Sequence, residues 1–129
     1  MSAVYIDTSV LAGIAFGEPA AERFALALNR FDRLLSSNLL EAEIRAVFQR
    51  EGERFEDAIL AGIDWILPTR PLSAECARAL GAGYLRGADL WHVATALYFS
   101  PQPESLTFAT LDAVQARVAS TLGFLKCRI

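Results

Sequence analysis

Short apolar segments alternate along this chain with stretches of helical periodicity, and that alternation limits the fold more than any other feature. Ala3-Val4-Tyr5-Ile6 reads as a buried strand that stops at Asp7-Thr8-Ser9. Glu18-Pro19 opens a helix, with Pro19 near the first helical position, where its missing N–H is not needed. Phe24, Ala27, Leu28 and Phe31 then share one helical face. Arg33-Leu34-Leu35-Ser36 reads as a second strand. Asn38 and Glu41 form a capping-box pattern for a helix that runs to about Arg50 and stops near Gly52. A short helix over 55–63 and a strand Trp65-Ile66-Leu67-Pro68 follow. Ser73 caps a helix to about Ala82, and Gly81, Gly83 and Gly87 break the region after it. Asp89 to Phe99 is a strong helix with Leu90, Val93, Ala94 and Leu97 on one face. After the loop at Ser100-Pro101-Gln102-Pro103-Glu104-Ser105 comes a strand over Leu106-Thr107-Phe108-Ala109. A helix from Asp112 to Gly123 and a last strand, Phe124-Leu125-Lys126-Cys127, complete the pattern. Strands separated by helices or helix pairs predict an α/β fold, a mostly parallel sheet with helices on both faces.

The 129 residues fit one domain over 1–129, and 53% apolar against 21% charged residues is enough to build a core. No uncharged apolar run reaches the ~18 residues of a membrane span, and no secretory signal opens the chain. The expected location is therefore the cytoplasm. The net charge of −3 is not that of a protein that coats nucleic acid. Setting four carboxylates aside on metal ions would leave +1 from that −3. Lys126 is the one lysine among 12 basic residues. Arginine suits bidentate phosphate contacts, although such a bias also follows genome composition.

Ligands of parallel sheets bind beyond the carboxyl ends of the strands. Asp7 and Asp112 both fall there. Taken singly, each has a structural reading. Asp7 would be a turn or cap residue, Asp112 would cap a helix together with Gln115, and Asp89 would sit in a first turn where the helix dipole favours a carboxylate. Glu43 is harder to explain. It lies on the stripe Leu40, Glu43, Ile44, Val47, where an apolar residue is expected, so it needs a partner. Arg45, Arg50 or a bound cation would serve, while Glu41 pairs with Arg45 four residues on. Four acids meeting at one edge would repel each other unless a cation joined them. Mg²⁺ and Mn²⁺ favour carboxylate and water oxygens, which makes phosphodiester hydrolysis the natural chemistry.

Four segments carry a family likeness. Val-Tyr-Ile-Asp-Thr-Ser (Asp7), Ser-Ser-Asn-Leu-Leu-Glu-Ala-Glu-Ile-Arg (Glu43), Ala-Asp-Leu-Trp-His-Val-Ala-Thr-Ala-Leu (Asp89) and Phe-Ala-Thr-Leu-Asp (Thr110, Asp112) stand in order. In this order and spacing the chain resembles the PIN-domain ribonucleases, and in particular the VapC toxins of bacterial toxin–antitoxin pairs. The resemblance implies a three-layer α/β/α sandwich and a metal-dependent endoribonuclease. Asp7 and Asp89 would be the main Mg²⁺ or Mn²⁺ ligands, and Asp112 would complete the acidic cluster. Glu43 would position the metal or the attacking water, and Ser9 and Thr110 would hydrogen-bond within the site. It also implies an RNA substrate, a VapB-type antitoxin and a homodimer.

Two other classes compete. Asp7 could be the nucleophile of an aspartyl-phosphate enzyme, but position 9 is Ser where that chemistry wants a second Asp. The same fold could also be a binding scaffold with the acids as caps. His92, the single histidine, is read as a packing or supporting residue, since it has no His or Cys companion to make a zinc site. Cys76 and Cys127 are read as small buried residues, and Trp65 and Trp91 as core or interface.

Overall fold

A computed structural model describes residues 2–129. Among these residues, the five strands β1 (Ala3–Ile6), β2 (Arg33–Ser37), β3 (Ile63–Ile66), β4 (Thr107–Ala109) and β5 (Leu125–Lys126) form one all-parallel sheet in the order β3-β2-β1-β4-β5. The six helices are α1 (Thr8–Ala15), α2 (Pro19–Leu28), α3 (Leu39–Arg50), α4 (Ser73–Ala82), α5 (Gly87–Phe99) and α6 (Ala113–Leu122). This is the expected PIN-like α/β sandwich.

The two-residue alternation of β1 divides the core in two. Val4 and Ile6 point into a cluster with Val10, Phe24, Leu40, Ile44 and Phe48, on the side of α1, α2 and α3. Tyr5 points the opposite way, into Ala79, Val93, Leu97 and Val118 from α4, α5 and α6. On that side it stacks on Phe108 of the neighbouring strand, with centroids 5.0 Å apart. A strand buried on both faces has no polar face, which explains the unbroken apolar run Ala3-Val4-Tyr5-Ile6.

Several boundaries differ from the sequence reading. Residues 8–15 form a helix where only the end of a strand was expected. Its run Val10-Leu11-Ala12-Gly13-Ile14 has no polar face to reveal a period. The expected helix over 55–63 is only a 3₁₀ turn, Asp57–Leu60. Gly62, at φ +84°, then turns the chain directly into β3, so that strand starts at Ile63 rather than Trp65. The capping box at α3 does not form. Asn38 is already helical and makes no side-chain cap, while Ser37 Oγ accepts from the Leu39 N–H at 3.0 Å. Ser73 is the first residue of α4 rather than its cap. Cys127 is buried as expected, but Cys76 is only half-buried. Trp65 packs partly buried beside the first cluster, and half-buried Trp91 donates to Ser37 Oγ at 3.0 Å. No helix of the described residues is long and apolar enough to cross a membrane.

Candidate active site

The strand order places a reversal at the centre of the sheet. The chain runs outward from β1 through β2 to β3, then returns to lay β4 on the other side of β1. A crevice opens at the carboxyl ends of such a pair. Asp7 follows β1 and Thr110 follows β4, and the Asp7 N–H donates to Ala109 O at 3.3 Å across the pair.

Asp7 caps α1, its Oδ1 accepting from the Val10 N–H at 3.4 Å. It is also 3% exposed. Ser9 Oγ donates to Oδ1 at 2.7 Å and Thr110 Oγ1 to Oδ2 at 2.7 Å. Burial pushes the Asp7 carboxyl above its ordinary value, and these hydrogen bonds only partly oppose it. Ser9 Oγ in turn accepts from the Leu111 N–H at 2.9 Å, which pins the first turn of α1 to the loop after β4.

Thr110 joins the next acid. Its hydroxyl accepts from the Asp112 N–H at 3.0 Å and lies 2.9 Å from Gln115 Oε1, a second acceptor for its single proton. Asp112 caps α6 through Oδ1, which accepts from the Gln115 N–H at 2.9 Å. That half of the expected capping box forms. The other half does not, because the Gln115 side chain, fully buried, turns away and donates to Asp89 O at 3.1 Å. The first turn of α5 is thereby tied to α6. Burial raises the Asp89 carboxyl, and the charge of Asp112 raises it further.

Glu43 finds neither of its expected arginine partners, since Arg45 pairs with Glu41 and Asp57, and Arg50 with Glu51. Instead Thr8 Oγ1 donates to its Oε1 at 2.6 Å, and His92 Nε2 lies 2.8 Å from the same oxygen. Burial pushes this carboxyl up, but the bonds from His92 and Thr8 outweigh it and hold the group below the ordinary glutamate value.

A family model described as PIN domain matches residues 4–120. The chain belongs to the PIN domain family. PIN domains are generally nucleases, and this chain has their nuclease-type fold. Comparison with curated proteins and with solved structures finds no significant match.

Within this PIN domain the structure brings Asp7, Ser9, Thr110 and Asp112 into one hydrogen-bonded net and links Asp89 to it through Gln115. Glu43 stands beside them on a separate branch with Thr8 and His92. Among the described residues, no three His, Cys, Asp or Glu side chains are grouped closely enough to hold an ion as they stand. The chemistry of the donors nevertheless suits a hard divalent cation. They are carboxylates and hydroxyls, and Asp7 and Asp89 are both raised by their surroundings, a strain that positive charge would relieve. A mostly apolar cavity of about 380 Å³ along α6 and β5 touches Thr110 but none of the four acids, so those acids lie outside that hollow.

The sequence reading gave no site role to Thr8 or Tyr5, and gave Gln115 only a place in the capping box of α6. Gln115 did carry a signal: it shares a helical face with the buried Val118 and Ala119, the same anomaly that marked Glu43.

Proposed function

We propose that this PIN domain is a Mg²⁺- or Mn²⁺-dependent endoribonuclease, the toxin of a VapBC-type pair. The observation that carries the reading is that the Asp7 carboxylate is tied through Thr110 and Gln115 to the backbone of Asp112 and Asp89 at the reversal point of the sheet, with the Asp112 charge acting on the Asp89 carboxyl. Asp7, Asp89 and Asp112 would hold the metal. When bound, the ion would act as a Lewis acid on the phosphate and lower the pKa of a bound water.

The chain's own groups do the rest. Ser9 and Thr110 hold the Asp7 carboxylate at both oxygens. Glu43, kept ionised by His92 and Thr8, accepts a hydrogen bond from the attacking water and orients it toward phosphorus. As the water oxygen bonds to phosphorus, its proton passes to Glu43, one ester P–O bond breaks, and the departing alkoxide takes a proton from solvent. Arg86, whose charge acts on the Asp89 carboxyl, would receive a non-bridging phosphate oxygen. The same negative edge suits a VapB-type antitoxin that offers a basic side chain, with the toxin working as a homodimer. Position 9, where an aspartyl-phosphate enzyme would carry a second Asp, is Ser9, and its hydroxyl is spent on Asp7 Oδ1, which speaks against Asp7 as a phosphoryl acceptor.

Purified protein and end-labelled RNA test the reading. Cleavage is expected with Mg²⁺ or Mn²⁺, is expected to stop in excess EDTA, and is expected to be absent from Asp7→Asn. Equal cleavage in EDTA, or full activity of the variant, would overturn it.

A further inference from the structure

We propose that Tyr5 and His92 are positioning residues that lock one imidazole tautomer, Nε2–H, against Glu43, so that the glutamate is held in a single orientation. The inference rests on the role given to Glu43 above, but the hydrogen-bond pattern that carries it is independent of that role.

The lock is set from both ends. At the inner end the Ser37 N–H donates to the Tyr5 hydroxyl oxygen at 3.2 Å. A backbone N–H can only donate, so the phenol oxygen is the acceptor there. His92 Nδ1, 2.6 Å away, is the nearest acceptor for the phenol proton, and with that proton directed to it Nδ1 presents its lone pair. At the outer end Glu43 Oε1 receives the Thr8 hydroxyl at 2.6 Å and lies 2.8 Å from Nε2. An ionised carboxylate only accepts, so Nε2 must carry the hydrogen. Thr8 Oγ1, its own proton committed to Glu43, lies 3.3 Å from Nε2 and can accept a share of that same hydrogen.

The opposite tautomer fails at the outer end, where it sets the Nε2 lone pair against a carboxylate. At the inner end it would force the phenol proton away from Nδ1 and onto the Ser36 hydroxyl, which already donates to Ile6 O. The ring is also confined, because His92 is 2% exposed, Tyr5 is fully buried and the two rings meet edge to face at 5.8 Å. The five groups come from β1, α1, β2, α3 and α5, so the orientation of Glu43 reports the assembly of the whole sheet edge.

Because His92 is the only histidine, tag-free ¹⁵N-labelled protein gives a single pair of imidazole nitrogen signals by solution NMR. A protonated Nε2 and a lone-pair Nδ1 are expected at neutral pH. In Tyr5→Phe, which keeps the ring and removes only the hydroxyl, the two nitrogen signals should move toward a tautomer average. Its kcat on RNA should fall on the order of 10-fold, with KM unchanged. A wild type carrying Nδ1–H or a doubly protonated ring overturns the proposal. So does a folded Tyr5→Phe with unchanged nitrogen signals or unchanged kcat. If the wild type cuts no RNA, the nuclease reading fails and the spectra alone decide the tautomer.

Discussion

The Asp7 carboxylate is held in an environment that disfavours its charge, and this has consequences for both activity and stability. In Asp7→Asn an amide at the Oδ2 position could donate to Thr110 Oγ1. The threonine proton would then turn to Gln115 Oε1, already 2.9 Å away, so the net reconnects without a buried charge. We expect Asp7→Asn to lose RNA cleavage and yet melt no lower than wild type in metal-free buffer at neutral pH, as differential scanning calorimetry would show. Thr110→Val has no such escape. It leaves the Asp112 N–H and Asp7 Oδ2 without their partner and should lower stability by about 1–3 kcal/mol in denaturant titrations. On the proposed role of Glu43 in orienting the attacking water, Glu43→Gln should reduce kcat by roughly 10²-fold or more.

The pH dependence follows from the same groups. Asp7 and Asp89 are raised in the folded state, so their contribution to stability is present at low pH and lost as pH rises through their folded values. Glu43 is lowered, so its contribution is present at neutral pH and lost as pH falls through its folded value. Metal-free protein should therefore gain stability from Asp7 and Asp89 as pH falls through their raised folded values, and lose the Glu43 contribution at lower pH still. A Tm that only falls from neutral pH would contradict this assignment of charge.

At the scale of the elements, α1 holds the site together and was the least legible part of the sequence. Its apolar run gave no period, and Asp7-Thr8-Ser9 looked like the end of a strand when it is also the start of a helix. The helix lies close against α2: a Cβ on Gly13 would stand 2.8 Å from Ala21 Cβ and 2.8 Å from Leu111 Cδ1. Leu111 can rotate away, but the Ala21 methyl is fixed to its backbone. Gly13→Ala gains ~1 kcal/mol of helix propensity and meets an overpacking cost of ~1–3 kcal/mol. A net loss of stability, measured by urea unfolding, is expected. At some other places the local signals sufficed. Asp112 caps α6, Gly123 ends it in the left-handed region at φ +109°, and Glu41 pairs with Arg45. The partner of Glu43 was not legible because Thr8 and His92 are distant in sequence and only the fold brings them near, although the unpaired carboxylate on an apolar stripe did announce that some partner exists.

For the molecule as a whole, the alternation of strands and helices predicted the parallel sheet, and the positions of Asp7 and Asp112 after strands predicted the edge they occupy. The strand order did not follow, since nothing local to a strand says which neighbour it pairs with. That order, with β1 between β2 and β4, is what puts the ends of two strands distant in sequence side by side. Acids brought together in this way should act as one unit. The most direct test is a calorimetric titration of the metal-free protein with Mn²⁺, repeated on Asp7→Asn and Asp89→Asn. The account predicts saturable binding by the wild type that each substitution abolishes or weakens by at least an order of magnitude. No binding by the wild type, or binding that both variants keep, would contradict it.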